Sequence, residues 1–153
     1  LRKIFPNQNL APLLIMASVL LVDDDSSVLL TSSIALRRRG HEVTAASDGV
    51  QALHQLRHHK FDVVVSDIRM PGMNGLELAT QIQNMPQTPR IILMSAHYDT
   101  NMQPNPAEIA DAFLQKPLDI AALCATLETP TQVAPPRPHA LRRVKHHNLK
   151  LRV

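Results

Sequence analysis

Of the 153 residues none is Trp, one is Tyr and three are Phe, so a folded core has to be built from aliphatic side chains. A single cysteine, Cys124, excludes an intrachain disulfide and any multi-cysteine zinc site. It falls in an apolar helical pattern and reads as core packing. Long hydrophobic runs are missing too. The longest, Leu10 to Val22, is interrupted by Pro12 and falls short of the ~20 apolar residues that a membrane-spanning helix needs. Arg2 and Lys3 ahead of several leucines imitate the start of a signal peptide. Cleavage near Ala17 would leave the first strand at a raw N-terminus, so the expectation is a cytoplasmic protein.

The net charge of +3 conceals a division along the chain. Residues 17–129 carry eight Lys/Arg against thirteen Asp/Glu, a balance of −5, which makes the central part acidic. The basic excess lies at the ends. Residues 130–153 hold six Lys/Arg, three His and no acid, and Arg2 and Lys3 add to the other end. A sequence pI near 9.4 therefore describes the ends and does not argue for nucleic-acid binding by the central part.

Between them the chain alternates two kinds of pattern. Ser18 to Val22 reads as a short buried strand, Ser26 to Arg39 as a helix with Val28, Leu29 and Leu36 inward, and Gly40 as its terminating glycine. His41 to Ala46 is a second strand, and Asp48 to Lys60 a second helix with Asp48 as N-cap. Phe61 to Asp67 is the central strand. A loop to Gly75 leads to a helix over Leu76 to Asn84, and Arg90 to Ala96 forms a fourth strand. Pro104 and Pro106 break the next helix or delay it to about Pro106. Ala112 to Gln115 is a fifth strand ending at Lys116-Pro117, and Leu118 to Glu128 a final helix. Five strands alternating with helices predict an α/β fold, a parallel sheet with helices on both faces.

The chemistry gathers at the strand ends. Val63, Val64 and Val65 suit a strand covered on both sides, and the run ends at Asp67, placing a carboxylate where open α/β sheets collect their ligands. The first strand ends at Asp23-Asp24-Asp25, the fourth at Ser95 and the fifth at Lys116. With parallel strands these groups share one edge. Taken singly, each has a plain structural use: a turn, a cap, a surface lysine. Together, clustered carboxylates require a compensating cation, and an open oxygen site suits Mg²⁺, or Mn²⁺. Asp67 is then a carboxylate nucleophile able to form an aspartyl phosphate, with Lys116 and the Ser95 hydroxyl as the surrounding donors.

The segments LLVDDD, VVVSDIRMPGMNG, IILMSA and FLQKP, in this order and spacing, resemble the receiver domains of two-component response regulators over about Ala17 to Glu128. The resemblance implies a doubly wound, flavodoxin-like (βα)5 sheet of order 2-1-3-4-5. It makes Asp67 the phosphoacceptor, loaded by a sensor histidine kinase, a phosphotransfer protein or a small phosphodonor. Asp23 and Asp24 match the acidic pair that holds the metal with Asp67, completed by the backbone carbonyl of Arg69. Asp25 stands one beyond the pair and is not counted as a ligand. Ser95 and Lys116 match the groups that meet the phosphoryl oxygens. Phe113 matches an aromatic switch, here without a phenolic hydroxyl. Arg69 and His97 match positions that tune phosphoryl lifetime, and a cis peptide falls at Pro117.

The function so implied is a CheY-like single-domain signalling switch, not a metabolic enzyme, although it catalyses its own phosphorylation and dephosphorylation. Its output face is formed by the fourth helix, fifth strand and fifth helix and is read by a partner protein. Homodimer formation is left open. The Asn101-Met102-Gln103 segment and the missing glycine turn at Ile109-Ala110-Asp111 predict a looser output face. A haloacid-dehalogenase-type phosphatase is disfavoured, because it expects a second acid where Arg69 stands. A phosphorylation-independent adaptor remains the alternative. Residues 1–16 read as a flexible extension, 17–129 as the receiver, and 130–153 as a Pro-rich linker and basic tail without an effector domain. That tail offers the one route to nucleic acid or an anionic surface, though no aromatic residue is there to stack on bases.

Overall fold

A computed structural model describes residues 16–97 and 105–128. Five strands, β1 (Ser18–Val22), β2 (Glu42–Ala46), β3 (Val63–Asp67), β4 (Arg90–Ser95) and β5 (Ala112–Gln115), form one sheet in the order β2-β1-β3-β4-β5. Every neighbouring pair is parallel. Between and after them run α1 (Ser26–Arg38), α2 (Gly49–His58), α3 (Gly75–Gln83), the short α4 (Pro106–Ile109) and α5 (Ile120–Glu128). The expected α/β class and strand order are those observed.

Alternation along the strands divides the core in two. Leu20, Val22, Val64, Ile91 and Leu93 point to the face covered by Ala52 and Leu53 of α2, Leu78, Ala79 and Ile82 of α3, and Ile109 of α4. Val19, Leu21, Val63, Val65, Ile92 and Met94 point to the other face, against Leu36 of α1 and Leu123, Cys124 and Leu127 of α5. Because strand side chains alternate with a period of two, continuous apolar runs are what a sheet buried on both faces demands. Cys124 lies in this second core, buried and unpaired.

Local signals account for the helix ends. Asp48 caps α2 by accepting a hydrogen bond from the Gln51 amide at 2.7 Å. Asn74 and Glu77 form a reciprocal capping box on α3. Gly40 follows the last residues of α1 with φ of 90°, a conformation glycine adopts without strain.

Helix α1 buries Leu36 as expected and packs Leu29 against the second core, and it adds two serines to its inner face. Val28 and Leu29 are only half-buried, whereas Ser32 and Ser33 are buried with Leu36, and Leu30 and Ile34 face solvent. Polar residues on an inner face are what a reading by hydrophobicity does not detect. Helix α4 begins at Pro106, which stands in its first turn, with Asn105 capping it, whereas Pro104 lies outside the described residues. Residues 101–103, the extension before Met16 and the 130–153 tail lie outside the described residues.

Candidate functional site

Parallel pairing brings the carboxyl ends of β1, β3, β4 and β5 to one edge. Val22 pairs with Ser66, Asp67 with Met94, and Ser95 with Gln115, so Asp23, Asp67, Ser95 and Lys116 emerge side by side. Ligand atoms of Asp23, Asp24 and Asp67 lie within 4.8 Å of one another. Asp23 is fully buried, Asp67 is 6% exposed, and Asp24 is open to solvent. One cation serves this cluster. The Lys116 ammonium donates to Oδ2 of Asp23 and to Oδ2 of Asp67, each at 2.6 Å. Its side chain reaches from the edge of the sheet past β4 to β3 and β1.

Burial pushes the pKa of Lys116 down, while the hydrogen bonds from Asp23 and Asp67 and the attraction of both carboxylates push it up by more. The net direction is upward from the ordinary value of 10.5. The site therefore holds a firmly charged ammonium. With all three carboxylates ionised, one ammonium still leaves a formal charge of two negatives. Oxygen donors in that balance fit a hard divalent ion such as Mg²⁺, and the exposed side of Asp24 provides access.

The remaining polar contacts fix the nucleophile. Oδ1 of Asp67 accepts from the Arg69 amide at 3.1 Å, and the Asp67 carbonyl accepts from the Ser66 hydroxyl at 2.9 Å. Oδ1 of Asp23 accepts from the Asp25 amide at 2.9 Å. Arg69 itself is exposed, as is His97. The buried Ser95 hydroxyl donates to the His97 carbonyl at 2.9 Å and accepts from the His97 amide at 3.2 Å. Phe113 is half-buried against the core on the α2, α3 and α4 side. The Lys116–Pro117 peptide is cis.

Asp25, set apart from the ligand pair in the sequence, and Gly75, which the sequence did not single out, complete the frame of the site. Asp25 is the N-cap of α1, accepting from the Ser27 and Val28 amides at 2.8 and 3.3 Å. Its signal was present, an acid directly before a serine-initiated helix. Gly75 packs against the back of the nucleophile: a Cβ there would lie 2.1 Å from the Asp67 carbonyl oxygen. Its amide donates to the Ile68 carbonyl at 2.9 Å. An Asn-Gly pair at a helix start marks a cap, but the close approach to Asp67 is a tertiary fact.

Comparison with known proteins places this geometry. A family model described as "Response regulator receiver domain" matches residues 19–128. Protein PilH of Pseudomonas aeruginosa is 32% identical over 115 residues, spanning 73% of this chain and 95% of PilH. The first curated relatives matched, both transcriptional regulatory proteins, are longer, and the chain spans only 50% and 25% of their lengths. Chemotaxis response regulator CheY4 of Vibrio cholerae superposes with a TM-score of 0.68 at 32% identity, covering 74% of this chain and 97% of that one. Response regulator TrrA of Thermotoga maritima, solved in complex with Mg²⁺ and BeF, superposes with a TM-score of 0.68 at 28% identity, covering 74% and 97%.

Proposed function

This chain belongs to the response regulator receiver domains, signalling modules of two-component systems, and we propose that it works as a phosphoryl-operated switch with Asp67 as the acceptor. The observation that carries the reading is the Lys116 ammonium held at 2.6 Å from both Asp23 and Asp67, beside Asp24, at the carboxyl edge of the sheet. Asp23, Asp24 and Asp67, with the Arg69 carbonyl, would hold Mg²⁺ or Mn²⁺. When bound, the ion neutralises charge on phosphoryl oxygens.

The protein's own groups do the rest. An Asp67 carboxylate oxygen attacks phosphorus in line, forming the P–O bond as the bond to the donor's histidine nitrogen, or to acetate, breaks and the leaving group departs with its electron pair. Lys116, already at the acceptor, transfers its hydrogen bond to a phosphoryl oxygen. Ser95 exchanges its two contacts with His97 for another phosphoryl oxygen. Phe113, on the neighbouring strand, follows into the space released. The face of α4, β5 and α5 thereby changes for a partner protein. Arg69 and His97, both exposed and two residues beyond Asp67 and Ser95, tune hydrolysis of the aspartyl phosphate.

The donor is a sensor histidine kinase or phosphotransfer protein, and the receiver occupies residues 17–129. Among the described residues no helix is long and apolar enough to cross a membrane. Incubation with acetyl phosphate or phosphoramidate and Mg²⁺, followed by intact-mass measurement, tests the reading. One phosphoryl group is expected on the wild type and none on Asp67→Asn or after chelation of the metal. Equal uptake by Asp67→Asn removes Asp67 from the role. Absence of uptake from both these donors and a phosphorylated histidine kinase, by a folded protein, favours the phosphorylation-independent adaptor.

A further inference from the structure

Helix α2 carries a second group of metal-ligating side chains, separate from the acidic edge. From His54 the sequence runs HQLRHHK, and both His54 and His58 are exposed. Four residues apart, they rise from one face of the helix, one above the other. Their rings are stacked, with centroids 4.5 Å apart and planes 20° from parallel. Nδ1 of His58 lies 3.2 Å from the carbonyl oxygen of His54. A carbonyl can only accept, so the contact places the proton on Nδ1 and leaves Nε2 of the neutral ring with its lone pair. An imidazole tied at one nitrogen to a carbonyl and free at the other is the arrangement that prepares a metal ligand.

From this juxtaposition we infer that His54 and His58 form a chelating site for a divalent transition metal that takes imidazole nitrogen, Cu²⁺ most tightly, then Ni²⁺ and Zn²⁺. The same spacing on a helix supplies two of the zinc ligands in the HExxH motif. Imidazole binds a metal in its own ring plane, so the two near-parallel rings have to turn out of the stack until a lone pair from each meets one ion about 2.0–2.1 Å away, a turn open to two exposed side chains one helical turn apart. Water fills the other positions. His59 does not add a third ligand from this face, because its backbone is extended at φ −133° and ψ 152° and ends the helix. Gln51, one turn before His54, has its carbonyl oxygen engaged by the Ser47 amide and hydroxyl. Arg57 and Lys60 add positive charge nearby and keep the affinity modest. The two sites differ in chemistry: carboxylates at Asp23, Asp24 and Asp67 take the hard Mg²⁺ ion, and imidazoles ignore it.

The test is Cu²⁺ titration of the ¹⁵N-labelled full chain in excess Mg²⁺, which occupies the acidic site. At substoichiometric Cu²⁺, paramagnetic broadening is expected first at the amides of residues 50–62. In His54→Gln and His58→Gln the same broadening should need about tenfold more Cu²⁺ or better, and His59→Gln should behave as wild type. The spectrum of each variant reports its own fold, so a misfolded variant is recognised and replaced by the Asn substitution at the same position. Wild-type α2 amides that do not broaden, or that broaden equally in both variants, overturn the site, whatever happens at His139, His146 and His147.

Discussion

The ammonium of Lys116 lies 2.6 Å from one oxygen of each of Asp23 and Asp67, whose side chains are nearly or fully buried. Replacing it by Met leaves two carboxylates without their cation, and we expect Lys116→Met to lose about 2 kcal/mol at neutral pH in the absence of divalent metal. Burial opposes the charge of Lys116, but the two aspartates prevail and raise its pKa above 10.5. A group with a raised folded pKa contributes stability in full below its unfolded pKa and loses it as pH climbs through the folded value. Urea denaturation of wild type and Lys116→Met at a series of pH values from neutral upward should therefore show a constant gap below pH 10.5 that narrows above it. A gap that widens on the alkaline side would contradict the assignment. Gly75 belongs to the same scale, since only the absence of a Cβ lets α3 begin against the Asp67 carbonyl.

At the scale of the element, three successive aspartates divide between two tasks. Asp23 and Asp24 belong to the acidic cluster, while Asp25 accepts the Ser27 and Val28 amides at the start of α1. An N-cap residue of this kind is worth about 1 kcal/mol. Asp25→Ala is thus expected to lower unfolding stability by about that amount, measured by denaturant midpoint, while phosphoryl uptake from acetyl phosphate stays near the wild-type rate. Loss of uptake with unchanged stability would mean that Asp25 serves the site and not the helix. The helices are also where sequence and structure part most. Leu29 and Leu36 lie inward on α1 as expected, but Val28 is only half-buried and the inner surface is completed by Ser32 and Ser33. Helix α2 is capped where Asp48 predicts it, because a cap is decided by neighbours in sequence.

For the molecule as a whole, the acidic cluster exists only when β1 and β3 are paired, since Asp23 and Asp67 are far apart along the chain. A metal held by both binds the native state and has no comparable site in the unfolded chain. Mg²⁺ at about 100 times its dissociation constant should therefore stabilise the fold by about 2.7 kcal/mol. Thermal or urea unfolding with and without Mg²⁺ measures it. Asp23→Asn is expected to reduce the increment sharply, and an increment unchanged by that substitution would place the metal elsewhere. The same dependence on pairing explains how a lysine from the last strand serves an aspartate from the first.

The sequence by itself determined the parallel α/β class, because uninterrupted runs such as Val63–Val65 and Ile91–Met94 fit strands buried on both faces, and buried strands alternating with helices leave few other arrangements. It also determined which groups end the strands, Asp23, Asp67, Ser95 and Lys116, since these follow directly from where apolar runs stop. The strand order came from resemblance to a family, not from periodicity, and the sheet has that order. Only the tertiary structure decided that the Lys116 ammonium bonds both Asp23 and Asp67, that Gly75 touches the nucleophile's backbone, and that Ser32 and Ser33 complete the inner face of α1. The physical reason is the range of the forces involved. Burial patterns and caps are written into neighbouring residues, whereas a close approach or a shared hydrogen bond depends on where remote segments come to rest.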